Sequence, residues 1–270
     1  MPDTPTPISI QAATVILARE GPGGVPEFLL VQRGENLAFA GGALVFPGGR
    51  VDAGDIGIAR SADLATGFDG LDDLDAAARV TCAREALEET GVLLTEGPLP
   101  DPQALAAARA ALASGPDADE AASFAAMLGA MAHKVDAARF IPFARWEPPS
   151  AVAIVRRFDT RFYLADAGRS ASAAIAPDGF EAMALRWTTA SEALADYEAG
   201  RAAMVFPTWC NMHRLAQYHG MAELFAAVAA RPAPYVQPAF ETVDGDQWLT
   251  IPEGLDYPVT RDRIVNLRRE

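Results

Sequence analysis

Residues 84 to 92 read Arg84-Glu85-Ala86-Leu87-Glu88-Glu89-Thr90-Gly91-Val92. Side chains three and four positions apart are neighbours on a helix, so Glu85, Glu88 and Glu89 are predicted to project from one helical face. Like charges placed this way repel each other and oppose helix formation unless cations lie between them. The pattern therefore predicts either a site for Mg²⁺ or Mn²⁺, which prefer oxygen ligands, or a solvated acidic helix face.

A glycine-rich stretch upstream favours the metal site. Residues 45 to 55 read Val45-Phe46-Pro47-Gly48-Gly49-Arg50-Val51-Asp52-Ala53-Gly54-Asp55, an apolar strand end followed by paired glycines and acidic residues. Glycine allows a positive φ and a close approach of the backbone, which suits a loop that offers a carbonyl to a metal or an amide to a phosphate. Neither stretch is decisive alone, but together they predict a metal and phosphate site.

Together the two stretches resemble the Nudix box, the motif G-x5-E-x7-R-E-U-x-E-E-x-G-U in which U is aliphatic. Gly49 matches the first glycine, and Asp55 falls at the first glutamate. Residues 84 to 92 match the second half at every fixed position, with Ala86 as a small residue at the aliphatic site. The resemblance implies an α/β fold, the Nudix α/β/α sandwich with a mixed sheet, and metal-dependent hydrolysis of a diphosphate bond.

The sequence departs from the family pattern in two ways. Asp55 is shorter than the glutamate that in the family anchors the loop to the box arginine, here Arg84, and we expect it to keep that role. In addition, 28 residues separate Asp55 from Arg84, where the family has seven. A long insertion costs little chain entropy if its ends are already close. Residues 56–74 are therefore predicted to form an exposed excursion that rejoins at a helix start near Asp72 to Asp75.

A split box also occurs in the coenzyme A diphosphatase subgroup of Nudix hydrolases, which this sequence resembles. Three further stretches are similar to that subgroup: residues 39–49, residues 157–163, and the Asp244-Gly245-Asp246 turn with residues 249–252. The resemblance implies a nucleoside diphosphate substrate linked to another group, with coenzyme A or acyl-coenzyme A as the leading candidate. An ADP-ribose or dinucleotide diphosphatase is an alternative. A catalytically silent, nucleotide-sensing Nudix domain is another, although the complete set of helix carboxylates argues against it.

The family resemblance also implies roles for the box residues. Glu85 and Glu89, with a carbonyl from the glycine pair, would hold divalent metals. Glu88 would either bind a second metal or orient and deprotonate the attacking water. The predicted metal ligands are Gly48, Gly49, Glu85, Glu88 and Glu89, the predicted catalytic residues are Arg84, Glu85, Glu88 and Glu89, and Asp55 is the predicted support of the loop.

Four arginines are candidates for binding the substrate phosphates. Arg33 ends a predicted strand beside a glycine-rich loop, and Arg50 directly follows the glycine pair. Arg157 and Arg161 are four residues apart and would share one face of a strand. Such a face could hold a diphosphate or a 3′-phosphate through charge-assisted hydrogen bonds. Pairing of Arg157 and Arg161 with acids such as Asp159, and an ordinary surface position for Arg33, are equally supported alternatives.

Composition limits the classes of partner. The chain has 270 residues, half of them hydrophobic, which predicts one enlarged domain spanning residues 1–270. A formal net charge of −14 argues against binding to nucleic acid or to an anionic membrane, so the predicted partner is a small-molecule diphosphate. A homodimer is left open. Cys82 and Cys210 lack C-x-x-C spacing, and the N-terminus lacks a secretory signal, so reduced thiols and a cytoplasmic location are expected.

The remaining segments are predicted to alternate between strands and helices. An alanine-rich helical insertion, residues 99–138 with a break at Ser114-Gly115-Pro116, is expected to cover one side of the sheet through Leu105, Leu112, Phe124, Met127 and Leu128. Residues 232–270 are predicted to be a C-terminal extension with a hairpin over 238–252. The predicted strands are 8–18, 27–32, 43–46, 140–146, 158–165 and 181–187, and the predicted later helices are 191–199 and 207–230.

Overall fold

A computed structural model of the chain describes residues 9–34, 41–98, 100–112, 119–149, 157–168, 177 and 182–263. In these ranges a mixed β-sheet lies between two groups of helices, which confirms the predicted α/β/α sandwich. Residue 8, the predicted break at 114–116 and residue 181 lie outside the described ranges.

In chain order, the elements are β1 (Ser9–Glu20), β2 (Pro26–Arg33), β3 (Leu44–Val45), β4 (Gly48–Arg50), α1 (Ala53–Ala59), β5 (Ala65–Thr66), α2 (Asp73–Glu85), α3 (Pro102–Leu112), α4 (Glu120–Met131), β6 (Val135–Asp136), β7 (Ile141–Trp146), β8 (Arg157–Asp166), β9 (Ala182–Thr189), α5 (Ala190–Glu198), α6 (Phe206–Leu215), α7 (Met221–Ala229), β10 (Tyr235–Val236), β11 (Ala239–Val243), β12 (Asp246–Thr250) and β13 (Arg261–Arg263). A π-helical turn, Ala86–Thr90, continues α2, and short 3-10 helices span Pro22–Gly24 and Ala137–Arg139.

The main sheet has the strand order β10-β7-β8-β1-β2-β3, with β4 also paired to β1 and β9 paired to β2. Strand β1 runs parallel to β8 and antiparallel to β2 and β4. The sheet has a hydrophobic core on each face. Because side chains alternate between the two faces of a strand, β1 contributes to both of these cores. Val15 and Leu17 pack on the side of α2, whereas Ile16 and Ala18 pack on the side of α5, α6 and α7.

Helix α2 lies close to the sheet because its buried face is made of small residues. Ala76, Ala78, Cys82 and Ala83 are fully buried in the core that includes Val15 and Leu17 of β1. The helix begins where the sequence predicted, since the Asp72 carboxylate caps it by accepting hydrogen bonds from the backbone of residues 74 and 75. This packing fixes the position of the carboxylates that follow at the C-terminal end of the helix.

The glycine pair is part of a strand rather than of a free loop. Ala13 of β1 is the register partner of Gly49, and Thr14 is the partner of Gly48. Glycine has a low preference for strands, so local sequence indicated a loop, and the pairing with β1 overrides that preference. The consequence is a backbone held rigidly beside the sheet at the position where a site was predicted.

Two further expectations are wrong in part. The segment 56–74 is not simply exposed, because Ile58 and Phe68 are buried in the core on the α2 side. The segment 207–230 is two helices, α6 and α7, with Gly220 in an extended conformation immediately before α7. Glycine is unfavourable inside a helix, so the break has a local cause.

Other predicted segments agree with the structure. Helices α3 and α4 lie in the predicted insertion, and Leu112, Phe124, Met127 and Leu128 are buried against the α2 side of the sheet. The predicted C-terminal hairpin is formed by β11 and β12, with positive φ angles at Asp244 and Gly245. None of the helices in the described ranges is long and apolar enough to cross a membrane.

Candidate active site

Asp55 and Arg84 close the two halves of the box. Asp55 Oδ2 lies 3.4 Å from Arg84 Nη2, and both side chains are 0% exposed. Two contacts fix the carboxylate: the Asp52 amide donates to Oδ2 at 3.0 Å within the capping box of α1, and the Thr81 hydroxyl of α2 donates to Oδ2 at 2.7 Å. Asp55 thus lies where the sequence predicted the loop support.

The glycine pair and the box carboxylates are in direct contact. The Gly48 amide donates to Glu89 Oε2 at 3.2 Å. Glu85 Oε1 lies 2.1 Å from the position that a Cβ atom would occupy at residue 49, so only glycine leaves room for this carboxylate against the backbone. The backbone of the glycine pair therefore lies against Glu85 and Glu89.

The carboxylates are carried by a change in helix type. Glu85 ends α2, and Glu88 and Glu89 lie in the π-helical turn Ala86–Thr90. Such turns are rare and are frequently found at functional sites. Gly91, with φ 79°, ends the helix as predicted, and its amide donates to Leu87 O at 2.9 Å.

A fourth carboxylate that the sequence analysis did not identify reaches the same place. Glu120, from the first turn of α4, accepts a hydrogen bond from Arg84 Nη1 at 2.7 Å. One oxygen each of Glu85, Glu88 and Glu120 lie within 4.8 Å of one another. Glu120 is 36 residues from Arg84 in sequence, so no local sequence pattern predicts their contact.

Arg84 joins these groups into one charged cluster. Its Nη1 atom lies 2.9 Å from Glu85 Oε1 and 3.7 Å from Glu88 Oε2. Burial alone would lower the pKa of Arg84, but the negative charges of Glu85, Asp55 and Glu120 outweigh that effect and raise the pKa above its usual range. The guanidinium therefore stays charged and faces more carboxylates than it can neutralise.

This donor set fits a divalent cation. Oxygens that share one octahedral Mg²⁺ ion lie about 3–4 Å apart. The oxygens of Glu85, Glu88 and Glu120 lie within 4.8 Å of one another, so small side-chain shifts would let all three bind one ion. Because residue 49 is a glycine, the Glu85 carboxylate lies next to the backbone and not next to a side chain. Glu89 is directed to the Gly48 amide and is not one of this group of three.

Arg161 lies on the same sheet face as the box helix. Arg161 of β8 pairs with Ala13 of β1, which in turn pairs with Gly49 of β4. Residues in such a row share one sheet face, and two strand spacings separate the ends of the row by about 10 Å. The orientation is confirmed two residues further along β8, where the Tyr163 hydroxyl donates to Asp75 of α2 at 2.6 Å.

A hydrogen-bonded group surrounds Arg161 on this face. Arg161 Nη1 donates to Gln11 Oε1 at 2.9 Å, and Gln11 Nε2 donates to Asp159 Oδ2 at 3.1 Å. The ion pair of Asp159 is with Arg145, at 2.6 Å. Burial alone would raise the pKa of Asp159, but hydrogen bonds from Arg145 and Gln11 and the nearby positive charges lower it below the usual value.

The other three candidate arginines have different surroundings. Arg157 is 6% exposed and donates to the backbone carbonyls of Pro149 and Pro148, each at 2.8 Å. The Arg50 side chain is largely exposed and lies 3.6 Å from Asp52, while its carbonyl accepts a hydrogen bond from Arg84 at 3.2 Å. Arg33 ends β2, where its amide donates to Ala43 O at 3.0 Å. Binding of substrate by these arginines stays a prediction.

Known proteins that are similar to this chain include Nudix hydrolases, in agreement with the resemblance of its sequence to the Nudix box. No protein-family model matches the chain. The acyl-coenzyme A diphosphatase NUDT19 of Homo sapiens is 26% identical over 261 residues, which cover 83% of this chain and 67% of the human protein. A solved Nudix hydrolase from Alicyclobacillus acidocaldarius superposes with a TM-score of 0.68 and 26% identity, covering 84% of this chain and 99% of that one.

The fold, the closed box and these similarities define an enzyme that acts on phosphorus-containing acid anhydrides. The chain resembles the Nudix hydrolases, and among them the coenzyme A diphosphatases.

Proposed function

We propose that this enzyme hydrolyses the diphosphate bond of a nucleoside diphosphate linked to another group, with coenzyme A or an acyl-coenzyme A as substrate. Cleavage would give 3′,5′-adenosine diphosphate and a phosphopantetheine. The observation that carries the proposal is the close contact between Glu85 and the backbone of Gly49, because it brings the two halves of a split box into one site. The similarity to a human acyl-coenzyme A diphosphatase supports the choice of substrate.

We propose Mg²⁺ or Mn²⁺ as the cofactor. A bound divalent ion would lower the pKa of a water molecule and neutralise charge that develops on the phosphoryl oxygens. Glu85, Glu88 and Glu89, with a carbonyl of the glycine pair, are the proposed ligands. Arg84 holds Glu85 and Glu88 by ion pairs, so it positions them without binding the substrate.

The attack on phosphorus requires a carboxylate that orients the water and accepts its proton. Glu88 is the proposed candidate, with binding of a second metal as its other proposed role. Glu89 accepts the hydrogen bond from the Gly48 amide, so it also holds the glycine backbone in place beside the reacting groups. One phosphate then leaves as the water oxygen bonds to the other phosphorus.

Arg161 is the proposed contact for a phosphate of the substrate. It lies about 10 Å from Gly49 along one sheet face, a distance that a diphosphate with an attached nucleoside can span. Arg157 is engaged with the carbonyls of Pro148 and Pro149, so its proposed contribution is to hold that segment at the start of β8. Arg33 and Arg50 complete the set of proposed phosphate ligands.

A cytoplasmic location is part of the proposal, supported by two buried cysteines that are not joined in a disulfide. The proposed small-molecule substrate needs no nucleic-acid or membrane partner. A homodimer stays a prediction.

Product analysis tests the substrate. The purified protein is incubated with Mg²⁺ and then Mn²⁺ against coenzyme A, dephospho-coenzyme A, ADP-ribose and NADH, and the products are separated by chromatography. Selective release of 3′,5′-adenosine diphosphate is expected. Cleavage restricted to substrates without a 3′-phosphate would reject coenzyme A but keep diphosphate hydrolysis. Metal binding with no cleavage of any substrate would contradict the proposed activity and favour a nucleotide-sensing domain.

A further inference from the structure

The helical insertion places a carboxylate in the box of the enzyme. Glu120 is the first residue of α4, and its Oε2 atom lies 2.7 Å from Arg84 Nη1. The same Arg84 atom contacts Glu85, at 2.9 Å. Glu120 is therefore held on the side of the guanidinium that faces the predicted metal ligands.

A second glycine allows this approach. A Cβ atom at Gly54 of α1 would lie 2.7 Å from Ala121 Cβ, so α4 can dock here only because residue 54 has no side chain. Gly57, one turn further along α1, has no heavy atom within 4 Å of its corresponding position. The closeness at Gly54 is thus specific to the first turn of α4, which carries Glu120.

We propose that Glu120 is a third carboxylate ligand of the divalent cation held by Glu85 and Glu88, so that the insertion closes over the metal site. This inference rests on the proposed function. It follows from the 4.8 Å grouping of the three oxygens, the shared contact with Arg84 and the close packing at Gly54.

A purely structural role for Glu120 makes a different prediction. Acidic side chains at the N-terminal end of a helix are stabilised by the helix dipole, and in α4 Asp119 is the N-cap and Glu120 lies in the first turn. Asp119 caps the helix by accepting a hydrogen bond from the Ala122 amide at 2.9 Å, a role that asparagine also fills. Asp119→Asn therefore removes an equal charge one residue away and serves as the matched control for Glu120→Gln.

Titration with Mn²⁺, followed by the electron paramagnetic resonance signal of the free ion, tests the inference on the full chain. Glu120→Gln keeps an oxygen that can accept from Arg84, so α4 stays docked. It is expected to weaken Mn²⁺ binding about 10-fold or more, whereas Asp119→Asn changes it less than about twofold. Gly54→Ala is expected to weaken Mn²⁺ binding as Glu120→Gln does, and Gly57→Ala is the control in the same helix. Equal Mn²⁺ affinities for Glu120→Gln and Asp119→Asn would overturn the inference.

A change of metal preference gives a second, spectroscopic readout. Thiolate is a soft ligand, so Glu120→Cys is expected to bind Cd²⁺ with an ultraviolet sulfur-to-metal charge-transfer band. Asp119→Cys should show no such band, and equal bands in both variants would contradict ligation by residue 120. If the wild-type protein binds Mn²⁺ and hydrolyses coenzyme A while Glu120→Gln binds Mn²⁺ equally well, only this inference fails. If the wild-type protein binds no Mn²⁺, the inference and the proposed cofactor both fail.

Discussion

Arg84 and Asp55 form a fully buried ion pair at 3.4 Å although 28 residues separate them in sequence. Asp55 is placed by the capping box of α1 and by the Thr81 hydroxyl, whereas Arg84 is placed by α2. The insertion therefore does not separate the two halves of the box, because the Thr81 hydroxyl of α2, the helix that carries Arg84, also holds Asp55.

Replacing Asp55 by asparagine should destabilise the fold. The change leaves the buried charge of Arg84 without one of its counter-ions, and breaking a buried pair in this way costs about 3–5 kcal/mol of the free energy of unfolding. Urea denaturation of the wild-type protein and of Asp55→Asn measures the difference. Asp63→Asn, at an exposed position in the same segment, should leave the free energy of unfolding nearly unchanged. A loss of less than about 1 kcal/mol in Asp55→Asn would contradict the role of the pair.

Gly49→Ala should impair metal binding and turnover together. The new methyl group would lie 2.1 Å from the present position of Glu85 Oε1, so the carboxylate must move away from the glycine backbone. We expect at least about a 10-fold loss in Mn²⁺ affinity, measured by titration, with a parallel loss in kcat. Gly57→Ala has open space around the new methyl group and should bind Mn²⁺ as the wild-type protein does. Wild-type affinity in Gly49→Ala would show that the Glu85–Gly49 contact is not needed for the site.

Arg161→Gln should raise KM for coenzyme A more than it lowers kcat. A hydrogen bond to a charged group contributes about 1.5–3 kcal/mol, so a rise in KM of about 10-fold or more is expected if the contact is made equally in the ground and transition states. Steady-state kinetics with coenzyme A and dephospho-coenzyme A measure the effect. Arg201→Gln is the control, since Arg201 pairs with Asp196 on the exposed side of α5. Unchanged KM values in Arg161→Gln for both substrates would exclude a phosphate contact.

Asp159 should contribute to the loss of stability in acid. Its pKa is lowered in the folded state, so the ion pair with Arg145 stabilises the protein above the ordinary aspartate pKa, and that stabilisation is lost as the pH falls through the folded-state pKa. Between about pH 5 and pH 2, the free energy of unfolding should fall less steeply in Asp159→Asn than in the wild-type protein. Chemical denaturation at a series of pH values measures both slopes, and identical slopes would show that Asp159 does not contribute.

The sequence predicts the parts of this site that depend on local patterns. The acidic helix, its glycine end at Gly91 and the helix start near Asp72 to Asp75 follow from spacing and residue type, and all three are present. The strand conformation of Gly48 and Gly49 was not predictable in this way. Glycine disfavours strands, and the pair is held in β4 by its pairing with β1.

Most features of the site that could not be predicted from the sequence depend on long-range contacts. Glu120 reaches Arg84 from another helix, and Asp159 takes Arg145 rather than the nearby Arg157 or Arg161 as its ion-pair partner at 2.6 Å. Each choice depends on the register between β7 and β8 or on the docking of α4. Residue spacing along one element carries no information on either.

The proposed metal-dependent hydrolysis is tested by measuring turnover of coenzyme A by the wild-type protein and by Glu89→Gln, with Mg²⁺ and with a chelator. Glutamine retains an oxygen that can accept the hydrogen bond from the Gly48 amide. The variant should therefore fold and show a normal cooperative unfolding transition. We expect Mg²⁺-dependent release of 3′,5′-adenosine diphosphate by the wild-type protein and a loss of about 100-fold or more in kcat for Glu89→Gln. Near-normal turnover by folded Glu89→Gln, or wild-type turnover that survives removal of the metal, would contradict it.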